Sequence, residues 1–386
     1  MHKVQPTVCH VLLTLVTGGA EMVAARLARS LRGEYRFLFV CLDRIGELGE
    51  QLRNEGFPVH VIGRRPGVDW RSALQLGSFL RRERVDVIHA HQYGPFFYSV
   101  TARLLHRNAS LLFTEHGRFH PDYRSRKRVV YNRLLLERRD KLVGVGESVR
   151  QSLIDVEGMP ADRVGVIYNG IDLDEFVPSA GRNDVRQSLG ISDDEFVIIQ
   201  VARLDPIKDH ATALAALDRL RLRHPRVRLV LVGDGPQASA IREIVDQRRL
   251  QNHVIQLGLR NDIANLLSAA DAGLLTSHSE GIPLALIEAM AVGMPIVATA
   301  VGGVPEIVQR DVTGFLTQIG DSQALADALS RLCENPALCK RMSVLGRERA
   351  KSVFSQTRMD EDYRGAYAEL LHNARRRSQQ PLERAS

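Results

Sequence analysis

Cysteine is scarce in this sequence, and its spacing excludes the structures that cysteine usually builds. The four cysteines among 386 residues show neither a CxxC pattern nor a Cys/His spacing: Cys9, Cys41, Cys333 and Cys339. A disulfide framework and a structural zinc site would both need such spacings. We therefore expect a reduced, cytoplasmic protein without a bound metal ion.

Long apolar runs are missing as well. No segment approaches the ~18 consecutive apolar residues of a membrane-spanning helix. The run from Cys9 to Val16 follows Lys3 and superficially resembles a signal peptide, but two glycines and an amphipathic helix come directly after it. We interpret this run as a first buried strand. With 44% hydrophobic and 25% charged residues, the chain has the composition of a soluble globular protein, and it is long enough for two domains.

Positive charge is concentrated in one window. The net charge is +7, and the window from Arg118 to Lys141 holds nine basic residues against three acids. A solvated helix face is the commoner meaning of such a run. The alternative is peripheral contact with anionic lipid at the inner face of a membrane, or with an anionic acceptor. No stacking pattern of aromatic and basic residues accompanies the charge, so we expect no nucleic-acid partner.

Short apolar runs alternate with helical patterns along most of the chain. The alternation starts at Val8, is interrupted by a turn-rich segment from Asn169 to Leu189, and restarts at Phe196. Repeated strand and helix units predict an α/β fold with parallel sheets covered on both faces. We expect two Rossmann-like parallel-sheet domains, at 1–177 and 178–357, facing a central cleft, and a mobile polar tail at 376–386.

The most informative stretch runs from Thr276 to Glu306. It reads as a strand end, a glycine turn, an apolar helix and a second strand, and it contains Glu280 and Glu288. Gly281 permits close approach to the backbone, and Pro283 suits the first helical turn, where free N–H groups favour an anion. Each glutamate alone is equally well explained as a helix-start carboxylate or a solvated helix residue.

Two cations follow a strand of the second half. Arg203 stands at the end of that strand and Lys208 near the start of the next helix. At the carboxyl end of a parallel sheet they fit a diphosphate, because Arg offers a planar fork and Lys a point charge. An exposed charge pair is the alternative.

Two glycine-rich turns also follow strands. The turn Gly233-Asp234-Gly235 formally matches a dinucleotide-binding pattern, but the acidic residue expected about 20 positions later is absent, so we expect no dinucleotide cofactor. It is either a nucleotide-facing turn or a structural one. Gly18 and Gly19 follow the first strand, where they permit close approach of a phosphate or sugar, or serve tight helix packing.

Several histidines fall at or just beyond predicted strand ends. They are His89, His91 and His116, and Glu115 precedes the last of them. His116 is the best candidate for a functional side chain, because a strand ends there and Gly117 leaves room for a ligand. No Ser/His/Asp order and no metal-ligand cluster stands out, which argues against a hydrolase triad and a metal site.

Taken together, these motifs resemble those of the retaining GT-B glycosyltransferases of family 4, a group of bacterial sugar transferases. The likeness covers nearly the whole chain and rests on six motifs in order: TGGAE (17–21), YNGID (168–172), VARLDPIKD (201–209), GDGP (233–236), EGIPLALIE (280–288) and GGVPE (302–306). It implies a nucleotide-diphosphate sugar as donor, bound mainly by the C-terminal domain, with no metal and no further cofactor. It also implies a hydroxyl acceptor bound by the N-terminal domain, and a last helix, at about 358–375, that packs back on that domain. The basic window favours a lipid-linked or cell-surface glycan as this acceptor.

The resemblance implies a role for each matching residue. Arg203 and Lys208 would bind the diphosphate and stabilise the leaving group, while Glu288 would hold the ribose. Glu280 would hold a hydroxyl of the transferred sugar, and His116 would line the reaction centre. The remaining donor-binding positions are the first loop, the nucleotide-facing glycine and the segment after Glu280: Gly18, Gly19, Gly233, Gly281, Ile282, Pro283 and Leu284. His278, between two serines, has no assigned role.

Three alternatives stay open at this point. A nucleotide-sugar epimerase would share the architecture and need no acceptor. A non-catalytic sugar-binding homologue would keep the fold without turnover. Paired carboxylates also occur in glycoside hydrolases, but the partly helical segment between Glu280 and Glu288 is expected to hold them wider apart than the retaining arrangement requires.

Overall fold

The structure is a computed structural model that describes residues 5–16, 18–117 and 123–379, with side chains to residue 374. It divides into two compact units: Met1–Tyr168 with Thr357–Ser386, and Asn169–Gln356. The predicted domain boundaries lay after residues 177 and 357. The first boundary falls earlier in the structure because Ile171 exchanges backbone hydrogen bonds with Phe354 and Gln356, at the end of the second unit. Residues 380–386 of the predicted tail lie outside the described part of the chain.

The first unit is built on one parallel sheet with helices between its strands. Its elements are β1 (Thr7–Thr14), α1 (Gly19–Ser30), β2 (Arg36–Arg44), α2 (Glu47–Asn54), β3 (Val59–Val61), α3 (Trp70–Arg82), β4 (Val87–His91), α4 (Tyr93–Ala102), β5 (Ser110–Glu115), α5 (Arg126–Leu135), β6 (Lys141–Gly144), α6 (Glu147–Asp155) and β7 (Val164–Val166). The strand order is β3-β2-β1-β4-β5-β6-β7, with every neighbouring pair parallel. The order reverses between β1 and β4, which makes this the switch point of the sheet.

The central strands of this sheet are buried because apolar side chains pack on both of its faces. β1 has the sequence TVCHVLLT, and its first six residues are buried. Val8 and Leu12 belong to one core cluster, whereas Cys9 and Val11 belong to the other. Side chains along a strand point to alternate faces, so His10 lies on the same face as Val8 and Leu12.

The second unit repeats the same design with six strands. Its elements are α7 (Arg182–Ser188), β8 (Phe196–Val201), α8 (His210–Leu220), β9 (Val227–Val232), α9 (Ala238–Gln247), β10 (Val254–Gln256), α10 (Ile263–Ala269), β11 (Ala272–Leu275), α11 (Leu284–Ala291), β12 (Ile296–Thr299), α12 (Val304–Ile307), β13 (Gly314–Thr317), α13 (Ser322–Glu334) and α14 (Pro336–Val353). The all-parallel sheet has the order β10-β9-β8-β11-β12-β13, and its switch point lies between β8 and β11.

The last helix, α15 (Gln356–Gln379), packs on the first unit. Met359, Tyr363, Tyr367 and Leu370 are buried in the same core cluster as Val8. The helix predicted at 358–375 is therefore part of the core that covers one face of the first sheet.

The predicted α/β fold of two Rossmann-like parallel-sheet domains is confirmed. Two of the histidines expected at or just beyond strand ends belong to β4, which runs from Val87 to His91. His89 and His91 therefore lie inside a buried strand, because the apolar run continues through Ala90. Across the described ranges, no helix combines the length and the apolar character that a membrane span requires.

Candidate functional site

The residues predicted to bind a diphosphate lie at the switch point of the second sheet. Arg203 follows β8, Lys208 ends a short 3-10 turn at Pro206–Lys208, and Glu280 follows β11. β8 and β11 are hydrogen-bonded neighbours, so the segments after them share one edge of the sheet. Open α/β sheets bind their ligands at this edge.

Lys208 and Glu280 form an ion pair that the sequence did not predict. The Lys208 Nζ donates to Glu280 Oε1 at 2.6 Å, and the Ser277 hydroxyl donates to the same oxygen at 2.5 Å. The side chains of Lys208 and Glu280 are 21% and 9% exposed. A carboxylate this shielded needs partners, because removing a charge from water is costly. The pair therefore holds both side chains at the sheet edge.

Hydrogen bonds tie together the two loops that carry this pair. The Thr276 hydroxyl donates to the carbonyl oxygen of Lys208 at 2.9 Å. The backbone N–H of His278 donates to the carbonyl oxygen of Ile207 at 2.8 Å, and the half-exposed His278 ring lies 3.6 Å from an Asp209 carboxylate oxygen. His278, to which the sequence assigned no role, thus joins the loops through its backbone. Thr276 and Ser277 are supporting residues that sequence reasoning missed.

Arg203 is in a different environment. Its side chain is 73% exposed, and its ion-pair partner Asp205 lies 3.6 Å away. The backbone around it is held by the glycine turn: Leu204 N–H donates to the Asp234 carbonyl oxygen at 3.0 Å. Gly233 has a φ of +135°, and a Cβ there would lie 2.1 Å from the Ala202 carbonyl oxygen. The structural alternative for this turn is therefore supported, because only glycine permits the approach that positions Arg203.

The segment after Glu280 leads into the start of α11. Pro283 is the N-cap residue, Ile282 is buried, and Leu284 is the first helical residue. The first N–H groups of a helix have no acceptor within it, so they are available to an anion. Glu288 lies in the second turn of α11 and is half-buried.

Two glycines of the GGVPE motif pack against this segment. The Gly303 N–H donates to the Gly281 carbonyl oxygen at 3.0 Å. Gly302 has a φ of +49°, and a Cβ at that position would lie 1.8 Å from the Glu280 carbonyl oxygen. Both the positive φ and the close approach require glycine here. The motif was visible in the sequence, but its contact with the segment at 280–281 was not.

The first unit places Gly18 and Gly19 at the start of α1. Gly18 is the N-cap residue of that helix. A Cβ on Gly19 would meet no heavy atom within 4 Å, and on Gly18 it would meet only the flexible Glu21 side chain. Tight helix packing, the alternative reading of these glycines, is therefore wrong for Gly19. Thr17, which precedes them in the motif, lies outside the described residues.

His116 ends a chain of three hydrogen-bonded histidines. Its Nε2 lies 2.9 Å from His91 Nδ1, and His91 Nε2 lies 2.8 Å from His10 Nδ1. Three neighbouring strands supply these residues: β1 carries His10, β4 carries His91, and His116 follows β5. Burial lowers the pKa of His10 and of His116 to about 3, and the pKa of His91 well below the usual 6.5. All three rings are therefore neutral at physiological pH.

His89 lies beside these three histidines but forms its hydrogen bonds with other residues. Its Nδ1 is 2.7 Å from the Tyr367 hydroxyl, and its Nε2 is 2.9 Å from the Thr114 hydroxyl. Burial also lowers its pKa well below the usual value. The Tyr367 hydroxyl of α15 and the Thr114 hydroxyl of β5 thus occupy the two ring nitrogens of His89.

The grouping of His10, His89 and His91 raises the question of a metal site. Their nearest ring nitrogens lie within 4.8 Å of one another. Two nitrogens bound to one Zn²⁺ at 2.0–2.1 Å are at most about 4.2 Å apart, so the rings would have to come closer to one another to bind it. Both nitrogens of His89 and of His91 are already engaged in hydrogen bonds. The arrangement fits a hydrogen-bonded cluster better than a metal centre.

Comparisons with known proteins agree with this architecture. Residues 17–175 match the family described as Glycosyltransferase Family 4, and residues 181–349 match the family described as Glycosyl transferases group 1. These matches and the two parallel-sheet units show that the protein is a glycosyltransferase of the GT-B fold. The chain belongs to family 4 of that class, as its motifs predicted.

Curated relatives and solved structures extend the likeness over nearly the whole chain. N-acetyl-alpha-D-glucosaminyl L-malate synthase of Bacillus anthracis is 25% identical, with 85% of this chain and 93% of that protein covered. UDP-Gal:alpha-D-GlcNAc-diphosphoundecaprenol alpha-1,3-galactosyltransferase of Escherichia coli is 26% identical, with 86% and 89% covered. Anabaena HepE, solved in complex with UDP-glucose, is 25% identical with a TM-score of 0.83, covering 94% of this chain and 99% of that one.

Proposed function

We propose that this enzyme transfers a sugar from a UDP-sugar to a hydroxyl of a glycan or lipid-linked acceptor, with retention of anomeric configuration and without a metal ion. The observation that carries the proposal is the set of anion-binding groups at the second switch point: exposed Arg203, paired Lys208 and the start of α11. The complex of HepE with UDP-glucose and the UDP-Gal donor of the Escherichia coli relative support a uridine nucleotide.

Electrostatics and positioning supply the rate enhancement in this mechanism. As the bond from the anomeric carbon to the diphosphate oxygen breaks, positive charge grows on the sugar and negative charge on the diphosphate. Arg203 and Lys208 are fixed cations that stabilise the leaving group without rearrangement, and the N–H groups at the start of α11 add to them. The leaving phosphate then accepts the proton of the acceptor hydroxyl. The positive charge that a metal ion would bring is thus provided by side chains.

Glu280 and Glu288 bind the donor on either side of the diphosphate. Glu280 Oε1 is engaged by Lys208 and Ser277, so we assign its Oε2 to a hydroxyl of the transferred sugar. Glu288, half-buried in α11, holds the ribose hydroxyls. In the first unit, Gly19 leaves space for the donor to approach the backbone, and His116 contacts a reactant oxygen.

A product assay tests this function. The enzyme is incubated with UDP-glucose, UDP-galactose or UDP-N-acetylglucosamine, each with and without alpha-D-GlcNAc-diphosphoundecaprenol as acceptor probe. Mass spectrometry should detect the acceptor extended by one hexose or N-acetylhexosamine, and NMR should show an α linkage. Sugar exchange with donor alone would support an epimerase instead, and no product with any donor would contradict the proposal.

A matched pair of variants isolates the role of Arg203. Arg203→Ala should lower transfer by about 100-fold, since it removes a charge-assisted contact that strengthens as the leaving group forms. Arg226 is the control, because its side chain is 72% exposed and it also pairs with an aspartate. Arg226→Ala should keep full activity. Equal activity of Arg203→Ala and the wild type would rule out this role.

We also propose that α5 contacts an anionic membrane surface. Val130 and Leu134 are 56% and 77% exposed on this helix, next to Arg126 and Lys127. Exposed apolar side chains beside basic ones suit insertion at an anionic interface. Arg118, at the start of the predicted window, lies outside the described residues.

Vesicle sedimentation tests the membrane proposal. The full chain should bind vesicles of phosphatidylglycerol at low salt, bind less at 0.5 M NaCl, and fail to bind phosphatidylcholine vesicles. Leu134→Ser should weaken binding several-fold. Leu222, 81% exposed in the second unit, provides the control substitution Leu222→Ser. Absence of binding at low salt would remove the proposal.

A further inference from the structure

The two hydrogen bonds that link His10, His91 and His116 must run in the same direction, and the geometry decides which direction it is. A hydrogen bond between two imidazole nitrogens needs a proton on one and a lone pair on the other, and a neutral imidazole has only one N–H. With both hydrogen bonds made, at 2.8 Å and 2.9 Å, only two proton arrangements exist. Either every N–H points from His10 toward His116, or every N–H points the opposite way.

The two arrangements differ at the ends of the chain. His10 Nε2 and His116 Nδ1 are both shielded from solvent, and neither has a hydrogen-bond partner among the described residues. In the outward arrangement, every N–H points from His10 toward His116, so His10 Nε2 has a lone pair without a donor and His116 Nδ1 carries a hydrogen. In the inward arrangement, every N–H points toward His10, so His10 Nε2 carries an unpaired hydrogen and His116 Nδ1 has a lone pair without a donor.

The surroundings of His10 disfavour the inward arrangement. Its ring is stacked with Phe37 and Phe39, at interplanar angles of 19° and 20° and centroid distances of 5.3 Å and 5.2 Å. An N–H lies in the plane of its own ring, so it cannot point at the face of a ring stacked parallel to it. Buried N–H groups without an acceptor are rarer in proteins than acceptors that lack a donor. An Nε2 hydrogen on His10 would be such an orphan in a fully buried site, whereas the outward arrangement places the unpaired hydrogen on Nδ1 of the less buried His116.

The outer end of the chain is where a missing partner can be supplied. His116 follows β5 and is half-buried, whereas His10 and His91 are completely enclosed. A ligand oxygen within reach of His116 Nδ1 would satisfy the one hydrogen that the outward arrangement leaves without an acceptor.

We infer that His10 and His91 are positioning residues that fix His116 as a neutral hydrogen-bond donor through Nδ1. The atom recognised by His116 is then a hydroxyl or ether oxygen of the sugar or acceptor, and His116 does not take up the acceptor proton. The identity of that ligand rests on the proposed function. The direction of the hydrogen bonds rests on the burial of His10 Nε2 and on the less buried position of His116 Nδ1, where an acceptor can reach it.

Isotope labelling tests the direction without any substrate. In the full-length enzyme with ¹⁵N-labelled histidine, two-bond ¹H–¹⁵N correlation spectra distinguish Nδ1–H from Nε2–H tautomers, and the His116→Asn spectrum identifies the His116 signals. We expect His116 in the Nδ1–H form between pH 6 and 8. An Nε2–H tautomer or a protonated ring in that range overturns the inference. Because no donor is present, this result is independent of whether glycosyl transfer is found.

Variants then test the positioning role. His91→Leu breaks the chain and should lower kcat/KM for the donor by about tenfold, the loss expected for one well-placed hydrogen bond. It should also convert the His116 spectrum to a mixture of tautomers. His91→Gln, whose amide can donate to one neighbour and accept from the other, should restore the Nδ1–H form and most of the activity.

His89 provides the matched control. It is equally buried and lies in the same strand, but both of its nitrogens bond outside the chain. His89→Gln should leave the His116 tautomer unchanged and cost less than twofold in kcat/KM. An equal loss in His89→Gln and His91→Leu, or an unchanged His116 spectrum in His91→Leu, would show that the chain is merely structural. If His91→Leu fails to fold, the wild-type spectrum and His91→Gln still decide the question.

Discussion

Replacing Lys208 by methionine removes the positive charge of its pair with Glu280 and keeps most of its side-chain length. Glu280 would then remain 9% exposed, and among the described residues it would keep the Ser277 hydroxyl as its one partner. Breaking a fully buried pair costs about 3–5 kcal/mol, and losing an exposed pair costs about 0–1 kcal/mol. Because Lys208 is 21% exposed, water reaches part of the vacated space, and we expect Lys208→Met to lower the free energy of unfolding by about 2–3 kcal/mol. Adding Glu280→Gln should recover most of this loss, because no unpaired charge is left.

Urea unfolding measures this effect, with two probes that separate the units. Far-UV circular dichroism follows both units, whereas fluorescence follows the first unit alone, because Trp70 is the only tryptophan. The shift should appear in the circular dichroism transition. Arg203→Ala is the control: it has the same proposed role, but its exposed side chain should cost less than about 1 kcal/mol. Equal losses for Lys208→Met and Arg203→Ala, or a double variant less stable than Lys208→Met, would refute the reasoning.

Three further predictions concern stability and binding. Below pH 6.5 the unfolded chain protonates His10, whereas in the folded chain its pKa is about 3, so His10 should lower the free energy of unfolding by about 2 kcal/mol as the pH falls to 5. Urea unfolding at pH 5–7 should show that His10→Phe reduces the pH dependence by this amount, while His89, His91 and His116, whose pKa values are also lowered, keep the remainder. Gly302→Ala should lower stability in thermal melts by more than about 2 kcal/mol, because its Cβ would clash with the Glu280 carbonyl oxygen, whereas Gly19→Ala should be neutral. Glu288→Ala should weaken UDP binding about tenfold in calorimetry, and unchanged affinity would contradict a ribose contact.

The sequence predicted the fold and the strand ends because both depend on local patterns. Arg203 and Glu280 could be placed at carboxyl ends of strands from the apolar runs before them. The contact between Lys208 and Glu280 could not be predicted, because these residues are brought together only by the pairing of β8 with β11. Strand order is a property of the whole sheet, and hydrophobic periodicity does not encode it.

The histidine chain shows the same limit. The sequence singled out His89, His91 and His116 but not His10, which lies in the first strand. His10 joins them because β1 is the neighbour of β4, in a register that pairs His10 with His89. Histidines at alternate positions of one strand, as in His89 and His91, share a face of the sheet, and this signal could have indicated a cluster.

The central claim is that Arg203, Lys208 and the start of α11 hold the diphosphate of the donor. Calorimetry with UDP and UMP tests it most directly, because the two ligands differ only in the β-phosphate. We predict that the wild type binds UDP at least tenfold more tightly than UMP, and that Arg203→Ala loses most of this difference while its affinity for UMP is unchanged. Equal affinities of the wild type for UDP and UMP, or an undiminished preference for UDP in Arg203→Ala, would contradict the claim.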